Sequence, residues 1–279
     1  MGSGMVQNLL NSGIAVNIAA HQNRTPIDRL VAHGATEYFS FIDVAKQSGT
    51  VILCLPNSHT VSTILDTISP FLKERTLIID CTTNSVEAVE RFQNQAISTG
   101  YRYAEAPLTG GQQQAETAAL GAIVGCPAGD FEEVRAVLGP CCQTIERMGD
   151  IGFGAKAKLV SNFLALGTAT LVVEAMKAAR DFDVDWEKFY NVASRGSGHS
   201  MSLDRIVPNA IKGNYDGYAF SIENTLKDLS YMRDIFDNEQ DYGKLTRLLF
   251  DIYRNSGNAG KAEQFISNRL DPANSEGSG

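Results

Sequence analysis

Lys158 and Asn162 stand four residues apart in the segment Gly152-Phe-Gly-Ala-Lys-Ala-Lys-Leu-Val-Ser-Asn162. On a helix that spacing projects both from one face, a cation and an amide able to act on the same small polar ligand. The residues that follow, Leu159 to Val173, are apolar almost all round, so a polar group among them is buried or lines a cleft. Lys156, two positions before Lys158, reads as a solvated lysine. Thr109, Gly110 and Gly111 form a second constellation. Paired glycines let backbone N–H groups come close to an anion such as a carboxylate. Two further turns, Leu55-Pro56-Asn57 and Asp80-Cys-Thr-Thr83-Asn84, each follow a strand-like run. The second places Thr82, Thr83 and a helix start where a nucleotide can be hydrogen-bonded.

These groups must be positioned by alternating strands and helices. Ala15 to Ala19, Thr50 to Leu55, Thr76 to Ile79, Tyr101 to Ala104 and Ala122 to Val124 are short β-branched or apolar runs. The intervening segments read as helices, the rhythm of a doubly wound parallel sheet that binds its ligand at the carboxyl ends of the strands. Asn84 and Glu87 have the spacing of a capping box, with Gly100 beyond the helix end, and Asp130 and Glu133 repeat the start signal. From Gly154 onward strand signals fade and helices separated by Gly, Asn and Pro breaks take over. The expected division is residues 1–150 as a dinucleotide-binding domain, 151–270 as an all-α domain, and 271–279 as a flexible tail.

The chain has 279 residues, 43% of them hydrophobic, and a formal net charge of -8. That length suits about two domains, and the acidic balance argues against nucleic acid or an anionic membrane as partner. The apolar run after Lys158 approaches the length of a membrane span, but Ser161, Asn162, Thr168, Thr170 and Glu174 interrupt it. The five cysteines form no CxxC pair and no secretory signal precedes them, which suits reduced thiols in the cytoplasm. His21, His33 and His59 lack metal-ligand spacing, so no metal site is expected. His199 is a candidate to line the site, and Trp186, after the N-cap Asp185, reads as packing.

Taken in order, Met1-Gly-Ser-Gly-Met-Val-Gln-Asn-Leu9, Asn23-Arg-Thr25, Leu55-Pro56, Asp80-Cys-Thr-Thr83, Ala106-Pro-Leu-Thr-Gly-Gly111, Gly152 to Asn162 and Phe220 to Asp228 resemble the β-hydroxyacid dehydrogenases. That family includes 3-hydroxyisobutyrate dehydrogenase and the glyoxylate and succinic semialdehyde reductases, and is related to 6-phosphogluconate dehydrogenase. The resemblance implies a Rossmann-like sheet, a long interdomain helix, an all-α domain and homodimers or homotetramers. It implies Lys158 as catalytic lysine with Asn162 beside it. Thr109, Gly110 and Gly111 would grip a substrate carboxylate, although the family more often has serine where Thr109 stands. Lys227 would lie near substrate and cofactor with Asp228 its companion, and Gly2, Leu55, Pro56 and Thr83 would contact the cofactor. The implied reaction is hydride exchange between a nicotinamide and a small carboxylate-bearing aldehyde or 3-hydroxy acid, with a partly desolvated lysine moving the proton.

In such a fold the end of the second strand reads the ribose. An acid there bonds the 2′-OH and repels a 2′-phosphate, whereas arginine accommodates the phosphate. The stretch Ala19 to Thr25 has no acid and offers Asn23, Arg24 and Thr25, so NADP is favoured over NAD. The family opens with a strand running into Gly-Leu-Gly-x-Met-Gly, and Met1-Gly2 correspond to its last two residues. The expectation is a truncated homologue that binds dinucleotide less well than a chain extended by that strand. Two alternatives remain: a catalytically silent interaction module, and an imine reductase, which Lys158 disfavours.

Overall fold

Short β-branched runs separated by amphipathic helices pack as parallel strands with helices laid on the sheet. The computed structural model, which describes residues 1–19 and 23–274, has this pattern up to the start of one very long helix. His21 and the last five residues of the expected tail lie outside the described residues. The chain forms two compact units, one ending at Lys158 and the other beginning at Leu159.

The first unit runs α1 (Gly2–Asn11), β1 (Asn17–Ala19), α2 (Thr25–Ala32), β2 (Thr36–Tyr38), α3 (Phe41–Gln47), β3 (Thr50–Leu53), α4 (Ser58–Ile68), β4 (Leu77–Asp80), α5 (Val86–Thr99) and β5 (Arg102–Glu105). It continues through β6 (Leu108–Thr109), α6 (Gln112–Glu116), β7 (Leu120–Gly125), α7 (Phe131–Leu138) and β8 (Cys142–Gly149) into α8 (Phe153–Asp181). The strands lie in two sheets. β1 pairs with β2 in parallel, and a larger sheet has the order β3-β4-β5-β7-β6, with β8 parallel to β7. β3, β4 and β5 are parallel, while β7 runs antiparallel to β5 and β6. Among the described residues no ladder joins β1 to β3; there the Asn17 side chain reaches Gln47 O at 3.4 Å and Ser48 Oγ at 3.2 Å.

β4 is buried along its whole length, as a run of Leu-Ile-Ile requires. Leu77 and Ile79 join Met5 and Leu9 of α1, Leu120 and Val124 of β7, and Leu138 in one core. α1 is docked by Gly4, where a Cβ would come within 2.7 Å of the Ala115 backbone, and one turn later by Asn8 Nδ2, which donates to Ala115 O at 2.8 Å.

The second unit is helical: the remainder of α8, then α9 (Trp186–Ala193), α10 (Met201–Ile211), α11 (Ile222–Ile235) and α12 (Asp241–Ser256). Asp185, Ser200 and Ser221 cap α9, α10 and α11 through their side-chain oxygens. By length and composition α8 could cross a membrane. Here it is shared by two compact units, with Lys158 and Asn162 buried along it.

Two helix starts differ from expectation. Ser85, not Asn84, caps α5, its Oγ accepting from Ala88 N at 3.2 Å, because Asn84 turns inward and donates to Asp80 Oδ2 at 2.8 Å. Asp130 makes no side-chain cap on α7. Arg102 draws both acids away, with Nη1 2.9 Å from Asp130 Oδ1 and 2.7 Å from Glu133 Oε2. The Gly100 stop holds, in the left-handed region at φ 86°.

Candidate active site

The carboxyl ends of β4 and β5 lie side by side, Asp80 in register with Glu105, and both end in a buried carboxylate. Asp80 organises the loop after β4. Its Oδ1 accepts from Thr82 N at 2.9 Å and its Oδ2 from Tyr103 Oη at 3.0 Å, besides the bond from Asn84. Thr82 in turn accepts from Leu55 N at 3.0 Å, and Ser58 Oγ accepts from Ser85 N at 3.1 Å. The Leu55-Pro56 turn and the Thr82-Thr83 turn are thus stitched together. Thr83 is half-buried in this seam, while Thr82 is committed to it. Burial raises the Asp80 pKa against the pull of these donors.

Glu105 grips the start of α8. Its Oε1 accepts from Gly152 N at 2.6 Å and Gly154 N at 3.0 Å, and its Oε2 from Ala155 N at 2.8 Å. Burial pushes its pKa up to about 7, opposed by the three backbone donors and reinforced by the charge of Asp80. Gly152 is left-handed at φ 93°, which turns the chain from β8 into α8. A Cβ at Gly125 or Gly154 would overlap Glu105 or the facing backbone.

Lys158 follows one turn beyond Gly154 and is only 7% exposed. Asn162, 8% exposed, is the next residue on that face. Within the second unit Asn162 Nδ2 donates to Asp228 Oδ2 at 2.6 Å, and Lys227 Nζ lies 3.3 Å from Asp228 Oδ1. The helical spacing therefore brings Lys158 and Asn162 to one face, and α11 contributes the Lys227–Asp228 pair to Asn162. Thr109 Oγ1 lies 3.5 Å from Gly121 O, Gly110 is left-handed at φ 103°, and Gly111 N already donates to Gln114 Oε1 at 2.9 Å. His199 pairs with Asp204 at 2.8 Å on the surface of its unit.

A cleft of about 400 Å³ opens at the start of α1, lined by Ser3, Gly4, Asn23, Thr25, Arg29, Gln112 and one acid, Glu116, which accepts from Gln112 Nε2 at 3.0 Å. A helix N-terminus, a guanidinium and short polar side chains around one concavity suit the phosphate and ribose of a dinucleotide. Gly2 opens that helix, and a Cβ there would meet nothing within 4 Å. Arg24 is also at this end, but its charge is engaged. It pairs with Glu37 of β2, through Nη1 and through Nη2 at 2.8 Å, and with Asp28 at 2.8 Å. These bonds hold the Glu37 carboxyl below its ordinary range. The absence of an acid beside Arg24 in sequence is therefore not an absence in space.

Glu105, Glu37 and Arg29 are not marked in the sequence as site residues, and Asp80 is marked only as the end of a strand. An acid closing an apolar strand is the one signal for Glu105, and nothing local marks Glu37 or Arg29 as partners.

Residues 1–149 match the family model described as the NAD binding domain of 6-phosphogluconate dehydrogenase. Residues 152–268 match the model described as NAD-binding of NADP-dependent 3-hydroxyisobutyrate dehydrogenase. The chain is 30% identical over 205 residues to the mitochondrial 3-hydroxyisobutyrate dehydrogenase of Drosophila melanogaster, a match covering 73% of this chain and 63% of the fly enzyme. It is 28% identical over 267 residues to the Pseudomonas aeruginosa 3-hydroxyisobutyrate dehydrogenase, covering 91% and 89% of the two. The structure of Mycobacterium tuberculosis 3-hydroxyisobutyrate dehydrogenase with L-serine shares the fold, with a TM-score of 0.85 at 24% identity over 97% of this chain and 94% of that one.

Proposed function

We infer, from the β-hydroxyacid dehydrogenase family to which this chain belongs, that this nicotinamide-dependent oxidoreductase acts on a small carboxylate-bearing aldehyde or 3-hydroxy acid and prefers NADP. One observation carries the reading: a lysine almost fully withdrawn from water on a helix whose start is fixed by a buried carboxylate. Lys158 protonates the carbonyl oxygen in reduction and takes the proton back in oxidation, work that suits an amine in a poorly hydrated site. Asn162, held by Asp228, orients the substrate beside that amine. The Thr109-Gly110-Gly111 turn grips the substrate carboxylate, and Lys227 stands beside the Asp228 that holds Asn162.

The dinucleotide would supply the hydride. Its phosphates and ribose would be held by the start of α1 at Gly2 together with Asn23, Arg24, Thr25 and Arg29. Its other half would meet Leu55, Pro56 and Thr83. The NADP preference rests on Arg29, which lines the cleft, and on Arg24, which stands in sequence between the lining residues Asn23 and Thr25 and must exchange Glu37 for a phosphate.

Val160, Leu164 and Leu171 leave an apolar stripe exposed on α8. A second copy of the chain covers it in a homodimer or homotetramer, with the five free thiols remaining reduced in the cytoplasm. Light scattering at micromolar concentration checks the assembly; a monodisperse monomer contradicts it. That no ladder joins β1 to β3 among the described residues favours a second reading, a silent interaction module. Calorimetry with NADPH and NADH, followed by assays of succinic semialdehyde and glyoxylate reduction and 3-hydroxyisobutyrate oxidation, decides between them. Binding with turnover supports the enzyme; neither, in a folded sample, supports the module.

A further inference from the structure

We propose that Glu105 is a positioning residue for Lys158: by clamping the first turn of α8 it sets where the lysine amine stands. This rests on the proposed proton-transfer role of Lys158. The clamp is built from three elements of the first unit. β5 supplies the carboxylate, α8 supplies the N–H groups of Gly154 and Ala155 with Gly152 just before it, and β7 supplies Gly125, opposite Glu105 in the sheet. At 1% exposure the carboxylate is closed off from water, and charge-assisted bonds to a helix N-terminus are strong there. Two glycines keep the approach open, since a Cβ at Gly125 would overlap Glu105 Oε1, and one at Gly154 would lie 2.8 Å from Gly125 N.

Lys158 is tied to this turn twice. In the helical pattern its N–H bonds to the Gly154 carbonyl, and a helical side chain leans back toward the N-terminus over the preceding turn. That preceding turn is the one Glu105 holds. A shift of the clamp therefore moves the lysine amine against any reacting oxygen, and misplacement by about 1 Å can cost about 100-fold in rate. The charged and titratable groups set around the clamp are Asp80 of β4 and Tyr103 of β5, with Glu90 of α5 and Lys156 of α8 near Gly152.

Glu105→Gln tests the proposal, because the amide keeps the volume but turns an N–H₂ toward a backbone N–H. With NADPH and succinic semialdehyde at about pH 8, where Glu105 is ionised, the variant should lose about 10- to 100-fold in kcat with the KM for NADPH unchanged. The solvent deuterium isotope effect on kcat should rise, because proton transfer from a displaced amine becomes limiting; a mere loss of folded enzyme would not raise it. Hydrogen exchange should accelerate at residues 152–155 and nowhere else in the sheet. Unchanged exchange there, or faster exchange with kcat and isotope effect as in the parent, overturns the proposal. If the Gln variant does not fold, Glu105→Asp, one methylene short of the turn, is judged on the same three readouts. Lys158→Ala is measured alongside. Its survival would defeat the role of the lysine, whereas its failure beside a fully active Glu105→Gln would defeat the clamp alone.

Discussion

Carboxylates meet positive charge at two places in the first unit, in opposite surroundings. At the start of α8, Glu105 is sealed among glycines and bonded to three backbone N–H groups that have no other partner to turn to. At the end of β1, Asp28 and Glu37 lie against Arg24 on a surface where water competes for every contact. A buried clamp cannot be released without leaving orphaned donors, so it fixes geometry. An exposed pair costs little to open, so a ligand can take its place. The first arrangement suits chemistry that tolerates no play, and the second suits exchange of one anion for another.

Breaking the buried end should have the larger effect on stability. Gly154→Ala places a methyl 2.9 Å from Ile123 O and 3.0 Å from Glu105 Cδ, against backbone that cannot yield easily. A loss of about 2 to 3 kcal/mol is expected, in the range of overpacking in a well-packed core, as read by urea unfolding. A change under about 0.5 kcal/mol, the scale of an ordinary surface substitution, would show that α8 is not seated as tightly as described.

The buried carboxylate should also leave a mark on the pH dependence of stability. Its pKa is raised from 4.5 to about 7 in the folded chain. Between those values the native state holds more protons than the unfolded one, so stability falls as pH rises and the loss is complete above the folded pKa. The full effect is about 3 kcal/mol. Unfolding free energies of the parent minus those of Glu105→Gln should therefore decline from about pH 5 to about pH 8. A flat difference would mean that the three N–H groups offset burial entirely.

At the exposed end the effect is smaller and opposite in sense. Glu37→Gln frees Arg24 from a bidentate partner without touching the fold, and should tighten NADPH binding by about 3- to 10-fold while NADH binding hardly changes, as expected when a guanidinium gains a phosphate. Calorimetry reads both. Equal changes for the two dinucleotides would place the 2′-phosphate elsewhere, with Arg29 the next residue to test.

The contrast also explains which parts were legible beforehand. Lys158 and Asn162 stood out because helical spacing and a glycine turn are local signals. So were the strand end at Asp80 and the Gly100 stop of α5, whereas β3 ends at Leu53, two residues before the expected Leu55. Glu105 was missed because its donors lie 47 to 50 residues further along, and no local pattern announces them. The start of α5 was misplaced by one residue for a related reason: Asn84 and Ser85 can both cap, and the buried acid Asp80 claims the asparagine. The stretch around Arg24 read as free of acids because Glu37 arrives from the neighbouring strand, 13 residues away.

The central claim is that the buried lysine on α8 moves the proton, and Lys158→Ala tests it most directly. With NADPH binding and the folded state verified in both chains, kcat for succinic semialdehyde reduction should fall by about 10² to 10⁴, the usual worth of positioned acid–base catalysis. Turnover within a few-fold of the parent would contradict the account.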